Sequence, residues 1–72
     1  MNLLALRKIR GEMNLSLQDM ADALGLKTAG GYLRIENGEN KLKAEHLPII
    51  ANKFDMSLDE LATNLFFEQK VD

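Results

Sequence analysis

Residues 16–38 read SLQDMADALGLKTAGGYLRIENG. Ser16 stands ahead of an apolar run and three residues before Asp19, an acid suited to the positive end of a helix; Thr28 stands ahead of a second run. Gly25 and Gly38 follow the two runs, at the point where a chain leaving a helix adopts the left-handed conformation. Leu17, Met20, Ala21 and Leu24 recur at intervals of three and four, the period of one helix face. These signals predict two short helices, near 17–24 and 29–37, joined by a link of about four residues.

The same pattern continues on both sides. Leu6, Ile9 and Met13 precede the pair, and Leu47, Ile50, Ala51 and Phe54 follow it, with Leu58, Leu61, Ala62 and Leu65 beyond. Their spacing predicts further helices near 3–13, 45–54 and 58–66, and no stretch alternates with the period of two that a strand requires. Pro48 is tolerable only in the first turn of the fourth helix, and Ser57 with Glu60 makes a capping box at the start of the fifth. The expected fold is all-α, with five short helices forming one domain over 1–66 and a tail or the start of a linker over 67–72.

Composition narrows the function. Seventy-two residues, 46% of them hydrophobic, make one small domain with no spare core for a large cofactor. The absence of cysteine excludes disulfides and thiolate metal sites, and a single histidine, His46, cannot assemble the usual zinc ligand sets. No nucleophile–base pair and no phosphate-cradling glycine loop is present, so neither an enzyme nor a cofactor or small-molecule ligand is expected. The apolar run Leu3 to Leu6 is too short for a secretory signal and its charges, Arg7 and Lys8, come after it; the expectation is a cytoplasmic protein with no membrane span. Nine basic and eleven acidic residues give a net charge of −2, but the charge is graded along the chain. Residues 27–43 carry Lys27, Arg34, Lys41 and Lys43 against Glu36 and Glu39, whereas residues 44–72 carry six acids against two lysines, so an anionic partner belongs at the middle of the chain.

Ala21, four positions before Gly25, lets two helices cross closely, and the glycine turns the chain sharply, which is the helix-turn-helix arrangement. The sequence resembles the phage-repressor-like helix-turn-helix family, the group of lambda repressor and Cro, also called the xenobiotic-response-element type. The residues that carry the resemblance are Leu15-Ser16, Met20-Ala21, Leu24-Gly25-Leu26, Tyr32, Arg34 to Gly38, Leu47, Ile50-Ala51 and Met56 to Leu61, a span from about Ile9 to Leu61. The resemblance implies a sequence-specific DNA-binding transcriptional regulator, a repressor, that lays its third helix in the major groove of duplex DNA and binds a palindromic operator as a homodimer.

Carried over by position, the base readers are Thr28, Ala29, Gly30 and Arg34, with Lys27 beside them. Phosphate contacts fall to Leu17 and Gln18 at the start of the second helix, and to Asn37, Asn40, Lys41 and Lys43 in the loop after the third. Arg10 and Glu36 match positions that form a buried ion pair in several relatives. The chain departs from the family pattern by one extra residue, assigned to Lys27, and by glycines at 30 and 31 among the reading positions. It also departs by Leu17 where many members have glutamine and Leu42 where proline is common.

The remaining readings weigh structure against recognition. Tyr32 and Ile35 are core residues, with the Tyr32 hydroxyl at the edge, and His46 is an exposed residue in the first turn of helix four. Arg34 either reads guanine or pairs with Glu39. Leu65, Phe66 and Phe67 either close the core or supply a dimer surface, since two consecutive aromatics cannot both face inward from one helix. The competing function is a protein-interaction module that keeps the scaffold with little DNA binding, which the net acidity, the paired glycines and an exposed Leu33 would serve.

Overall fold

The structure, a computed structural model, describes residues 1–67. Among the described residues there are five helices and no strand: α1 (Leu4–Glu12), α2 (Leu17–Ala23), α3 (Ala29–Glu36), α4 (His46–Lys53) and α5 (Leu58–Phe66). Each lies within one residue, at either end, of the span read from spacing and caps. Residues 68–72 of the expected tail lie outside the described residues, and Phe67 is the residue that closes α5.

Two reciprocal capping boxes start helices. Ser57 Oγ accepts from the Glu60 N–H at 3.0 Å while Glu60 Oε1 accepts from the Ser57 N–H at 3.3 Å. Ser16 and Asp19 make the same exchange at 2.9 and 2.8 Å, so the shorter aspartate closes the box as well. The bond from the Ser16 backbone N–H, and then that from its hydroxyl, holds the Asp19 carboxyl below the ordinary carboxylate range. Thr28 caps α3 by accepting from the Gly31 N–H at 3.1 Å, and Pro48 is the third residue of α4.

Helices α1 to α4 all end in one way. The residue after the C-cap is left-handed at Asn14 (φ 56°), Gly25 (φ 72°), Gly38 (φ 80°) and Asp55 (φ 55°). In each case that residue and its successor donate back to carbonyls of the last turn, as in Gly25 N–H to Asp22 at 3.2 Å and Leu26 N–H to Ala21 at 2.8 Å. This is the Schellman arrangement, and it satisfies carbonyls the helix cannot. The successor is apolar at Leu15, Leu26 and Met56, and all three pack against the core.

That core is built from Leu6, Met20, Tyr32, Ile50, Leu61 and Leu65, each fully enclosed, with Ala21, Ala51 and Phe54 between them. Ala21 has no side chain beyond Cβ, and α2 and α3 make the most extensive contact of any two helices. The amide of Asn2 donates to the Leu65 carbonyl, 2.6 Å away, fastening the start of the chain to the end of α5.

Several positions differ from the periodic reading. Met13 is 40% exposed because it is the C-cap of α1, past the last full turn, and Leu58 is 47% exposed as the first residue of α5. Leu33 is partly buried rather than exposed. The Tyr32 hydroxyl lies inside the core, not at its edge, and has no hydrogen-bond partner among the described residues. Burial, with the nearby Glu36 charge second, drives that hydroxyl well above the usual phenol range.

One ion pair ties the first helix to the third. Arg10 Nε donates to Glu36 Oε1 at 3.1 Å and to Oε2 at 3.2 Å, and Arg10 Nη1 donates to the Leu15 carbonyl at 3.0 Å. The Glu36 side chain has no exposed surface and that of Arg10 has 18%. A carboxylate so enclosed depends on its partner, because a buried unpaired charge carries an uncompensated desolvation cost. Arg10→Met is expected to destabilise the domain by about 3–5 kcal/mol, and adding Glu36→Leu to it to recover most of that loss. Urea denaturation of the two variants checks this; equal stability of the single and double variants would show that Glu36 does not need its partner.

Candidate nucleic-acid interface

Helix α3 has two sides of opposite character. Tyr32, Ile35 and Glu36 are buried, and they fix the rotation of the helix about its axis. Gly30 and Arg34 are then exposed, and Asn37, the C-cap, continues their line at the spacing of one helix edge. Lys27 and Thr28 are exposed just before the helix, so Lys27, Thr28, Gly30, Arg34 and Asn37 share one free rim.

Arg34 forms no ion pair with Glu39; the two are linked only through backbone, the Glu39 N–H donating to the Arg34 carbonyl at 2.8 Å. No hydrogen bond to a described residue engages its guanidinium. Ala29 is partly buried, leaving little of its methyl outward. Thr28 keeps its hydroxyl proton for an outside acceptor while its oxygen caps the helix.

The second group is less uniform. Leu17 does not reach outward: it opens α2 and packs partly buried against the core, so its side chain is unavailable to phosphate. Gln18 is exposed, with its amide nitrogen 2.7 Å from Asp22 Oδ1. Asn40, Lys41 and Lys43 are exposed on the loop after α3. With Leu26, Gly31, Ile35 and His46, they border a cleft of about 350 Å³. His46 is partly buried, and its Nδ1 accepts from the Lys43 N–H at 3.3 Å, so it helps set the shape of that loop.

Leu65, read with Phe66 and Phe67 as a possible dimer surface, is 1% exposed and belongs to the core. Phe66 and Phe67 are 51% and 67% exposed. Reading by sequence also missed Arg7, whose Nη2 donates to Asn37 Oδ1 at 3.0 Å. A signal for it existed: Arg7 lies about one turn before Arg10, and Asn37 directly follows Glu36, so the Arg10–Glu36 match brings the second pair near.

The chain belongs to the helix-turn-helix family of the xenobiotic-response-element and lambda-repressor type, whose family model, described as helix-turn-helix, matches residues 6–61. Neither a curated protein nor a solved structure matches the chain. The match begins at the core residue Leu6 and ends at the core residue Leu61, leaving Phe66 and Phe67 outside it. The family is one of DNA-binding transcription regulators, not an enzymatic one. Among the described residues no helix is long and apolar enough to cross a membrane.

The glycines at the head of α3 are not demanded by packing. A Cβ at Gly30 would approach Thr28 Oγ1 no closer than 3.8 Å, and one at Gly31 no closer than 3.6 Å, both ordinary contact distances. Glycine inside a helix costs roughly 0.5–1 kcal/mol relative to alanine, so the isolated domain gives up stability at these positions. Gly30→Ala and Gly31→Ala are each expected to stabilise the free domain by about that amount, measured by thermal or urea unfolding. A loss of stability in either would show that the glycine serves the fold itself.

Proposed function

We propose that this chain is a sequence-specific transcriptional repressor that lays α3 in the major groove of duplex DNA and binds a palindromic operator as a homodimer. The observation that carries the reading is the free rim of α3: an exposed Arg34 whose guanidinium has no partner among the described residues, beside glycines that packing does not require. The guanidinium fork matches the two acceptors of guanine, and bare backbone at Gly30 lets the helix approach the base edges closely. Lys27 and Thr28 extend the reading edge, while Asn40, Lys41 and Lys43 lie on the flanking phosphates. Repression asks nothing beyond this, since a protein seated on an operator excludes others from it.

The homodimer follows from specificity. One domain of this size reads only a few base pairs, so two copies on adjacent half-sites are needed for useful discrimination. Leu58, Ala62 and Phe66 fall in one line along α5, with Phe67 beyond, and of these Leu58, Phe66 and Phe67 are exposed. An exposed apolar line of this kind suits a two-fold contact between equal surfaces.

Arg34→Ala is expected to cost about 1–3 kcal/mol at one base pair and to relax specificity there, whereas Lys41→Ala weakens all sequences alike and lowers the salt slope by about 0.9. Operator selection from random duplexes, followed by salt-dependent titration, measures both. Gly30→Glu sets bulk and negative charge where the helix enters the groove and is expected to abolish binding with the fold intact by circular dichroism. If that folded variant binds the parent's operator, α3 is not the reading helix and the protein-interaction reading takes its place.

For assembly, sedimentation at about 10–100 μM, a range in which micromolar dimers are populated, is expected to give a dimer for the parent and a monomer for the Phe66→Lys, Phe67→Lys variant. Equal dimerisation of the two would remove α5 from the interface.

A further inference from the structure

We infer that Arg7, on α1 and outside the helix-turn-helix, forms with Asn37 a phosphate site at the C-terminal end of α3. The inference rests on the DNA-binding reading above and adds to it a group from a different helix. Arg7 and Asn37 are thirty positions apart and both exposed, and the guanidinium Nη2 lies 3.0 Å from Asn37 Oδ1. Asn37 is the C-cap of α3 and stands in line with Gly30 and Arg34, so Arg7 is held against the rim that faces the nucleic acid.

The geometry leaves the arginine ready for an anion. A guanidinium carries five donors in one plane; the bond to Asn37 uses one and orients the fork, and no other hydrogen bond or ion pair with a described residue uses the rest. A fork already oriented loses less side-chain freedom when it takes a phosphate, and two of its donors can meet two phosphate oxygens at once. The support behind it is packed: Leu3, just ahead of α1, sits so near Gly38 that a Cβ there would come within 3.2 Å of Leu3 Cδ1. The start of α1 and the loop after α3 are therefore pressed together, and Arg7 is presented from a fixed base.

Charge gives the site a purpose. The C-terminal end of a helix is its negative end, and in the last turn of α3 that polarity is met by Arg34, the residue assigned to the bases. Glu39 adds a carboxylate 3.5 Å from Asn37 Nδ2. A phosphate at this end of α3 meets the helix carbonyls and the Glu39 carboxylate while Arg34 is turned to the bases, and Arg7 supplies a cation for it.

The test uses the full chain, a random-sequence duplex of about 20 base pairs, and fluorescence anisotropy between about 50 and 200 mM salt. Arg7→Gln is expected to make the slope of log affinity against log salt shallower by about 0.9, so that its deficit relative to the parent narrows about 3.5-fold across that range. Arg7→Lys keeps the charge and is expected to keep the slope while binding more weakly, because it loses the fork. Glu39→Gln, which leaves Arg7 untouched, is expected to tighten binding. Circular dichroism confirms the fold of each. An unchanged slope in Arg7→Gln, or a slope lost as fully in Arg7→Lys, overturns this site alone; a parent that does not bind the duplex overturns the DNA-binding reading and this site with it.

Discussion

From α1, the guanidinium of Arg10 grips two other parts of the chain at once: the Leu15 carbonyl in the turn before α2 and the Glu36 carboxylate at the end of α3. Without it, the buried side of α3 would be positioned by the apolar contacts of Tyr32 and Ile35, which fix depth better than rotation, and by the exposed Arg7–Asn37 bond. A doubly bonded carboxylate is directional. Because Glu36 is locked toward α1, Arg34 and Gly30, two and six residues earlier and so on the opposite side of the helix, are held outward. The orientation of the free rim is thus a consequence of a bond on the opposite side of the helix.

The same pair redraws the electrostatic surface. Glu36 is counted with the acids in the sequence, but it is enclosed and paired with Arg10, so of the acids within residues 27–43 Glu39 alone is exposed. Glu45, Asp55, Asp59 and Glu60 are exposed on α4, α5 and the turns beside them. In a chain of net charge −2, residues 27–43 therefore expose four cations, Lys27, Arg34, Lys41 and Lys43, against one carboxylate. Such a separation orients an approaching molecule before contact, and it keeps indiscriminate attraction low.

Most of the fold was legible because its determinants are local. Ser16, Thr28, Ser57, Gly25 and Gly38 mark helix boundaries within a few residues of the groups they bond, and the three-and-four spacing of Met20, Ala21, Ile50, Ala51, Leu61 and Leu65 marks the buried faces. The left-handed positions at Asn14 and Asp55 were harder to see, since either residue is equally at home in a loop. What failed involved helix ends and distant partners. Leu58 and Met13 sit where a helix begins or ends, and there the period no longer decides which way a side chain turns. The enclosed Tyr32 hydroxyl and the Arg7–Asn37 bond depend on how α1 crosses α3, which no local spacing encodes. Within the candidate site Arg34 and Lys41 are exposed, whereas for Leu17 position in the motif pointed to phosphate and its own spacing to the buried face, where it packs.

The four Schellman endings have a kinetic meaning. Each closes a turn with bonds that reach back only three to five residues, and the tightest helix pairs, α2 with α3 and α4 with α5, are neighbours along the chain. The search for native contacts then involves few long loops, and domains of such low contact order fold in microseconds to milliseconds. A ribosome adds about 5–20 residues each second, so each helix pair can assemble soon after it emerges. A chain that reaches its native arrangement this quickly spends little time with Leu61 and Leu65 uncovered, and aggregation has correspondingly little opportunity to compete with folding.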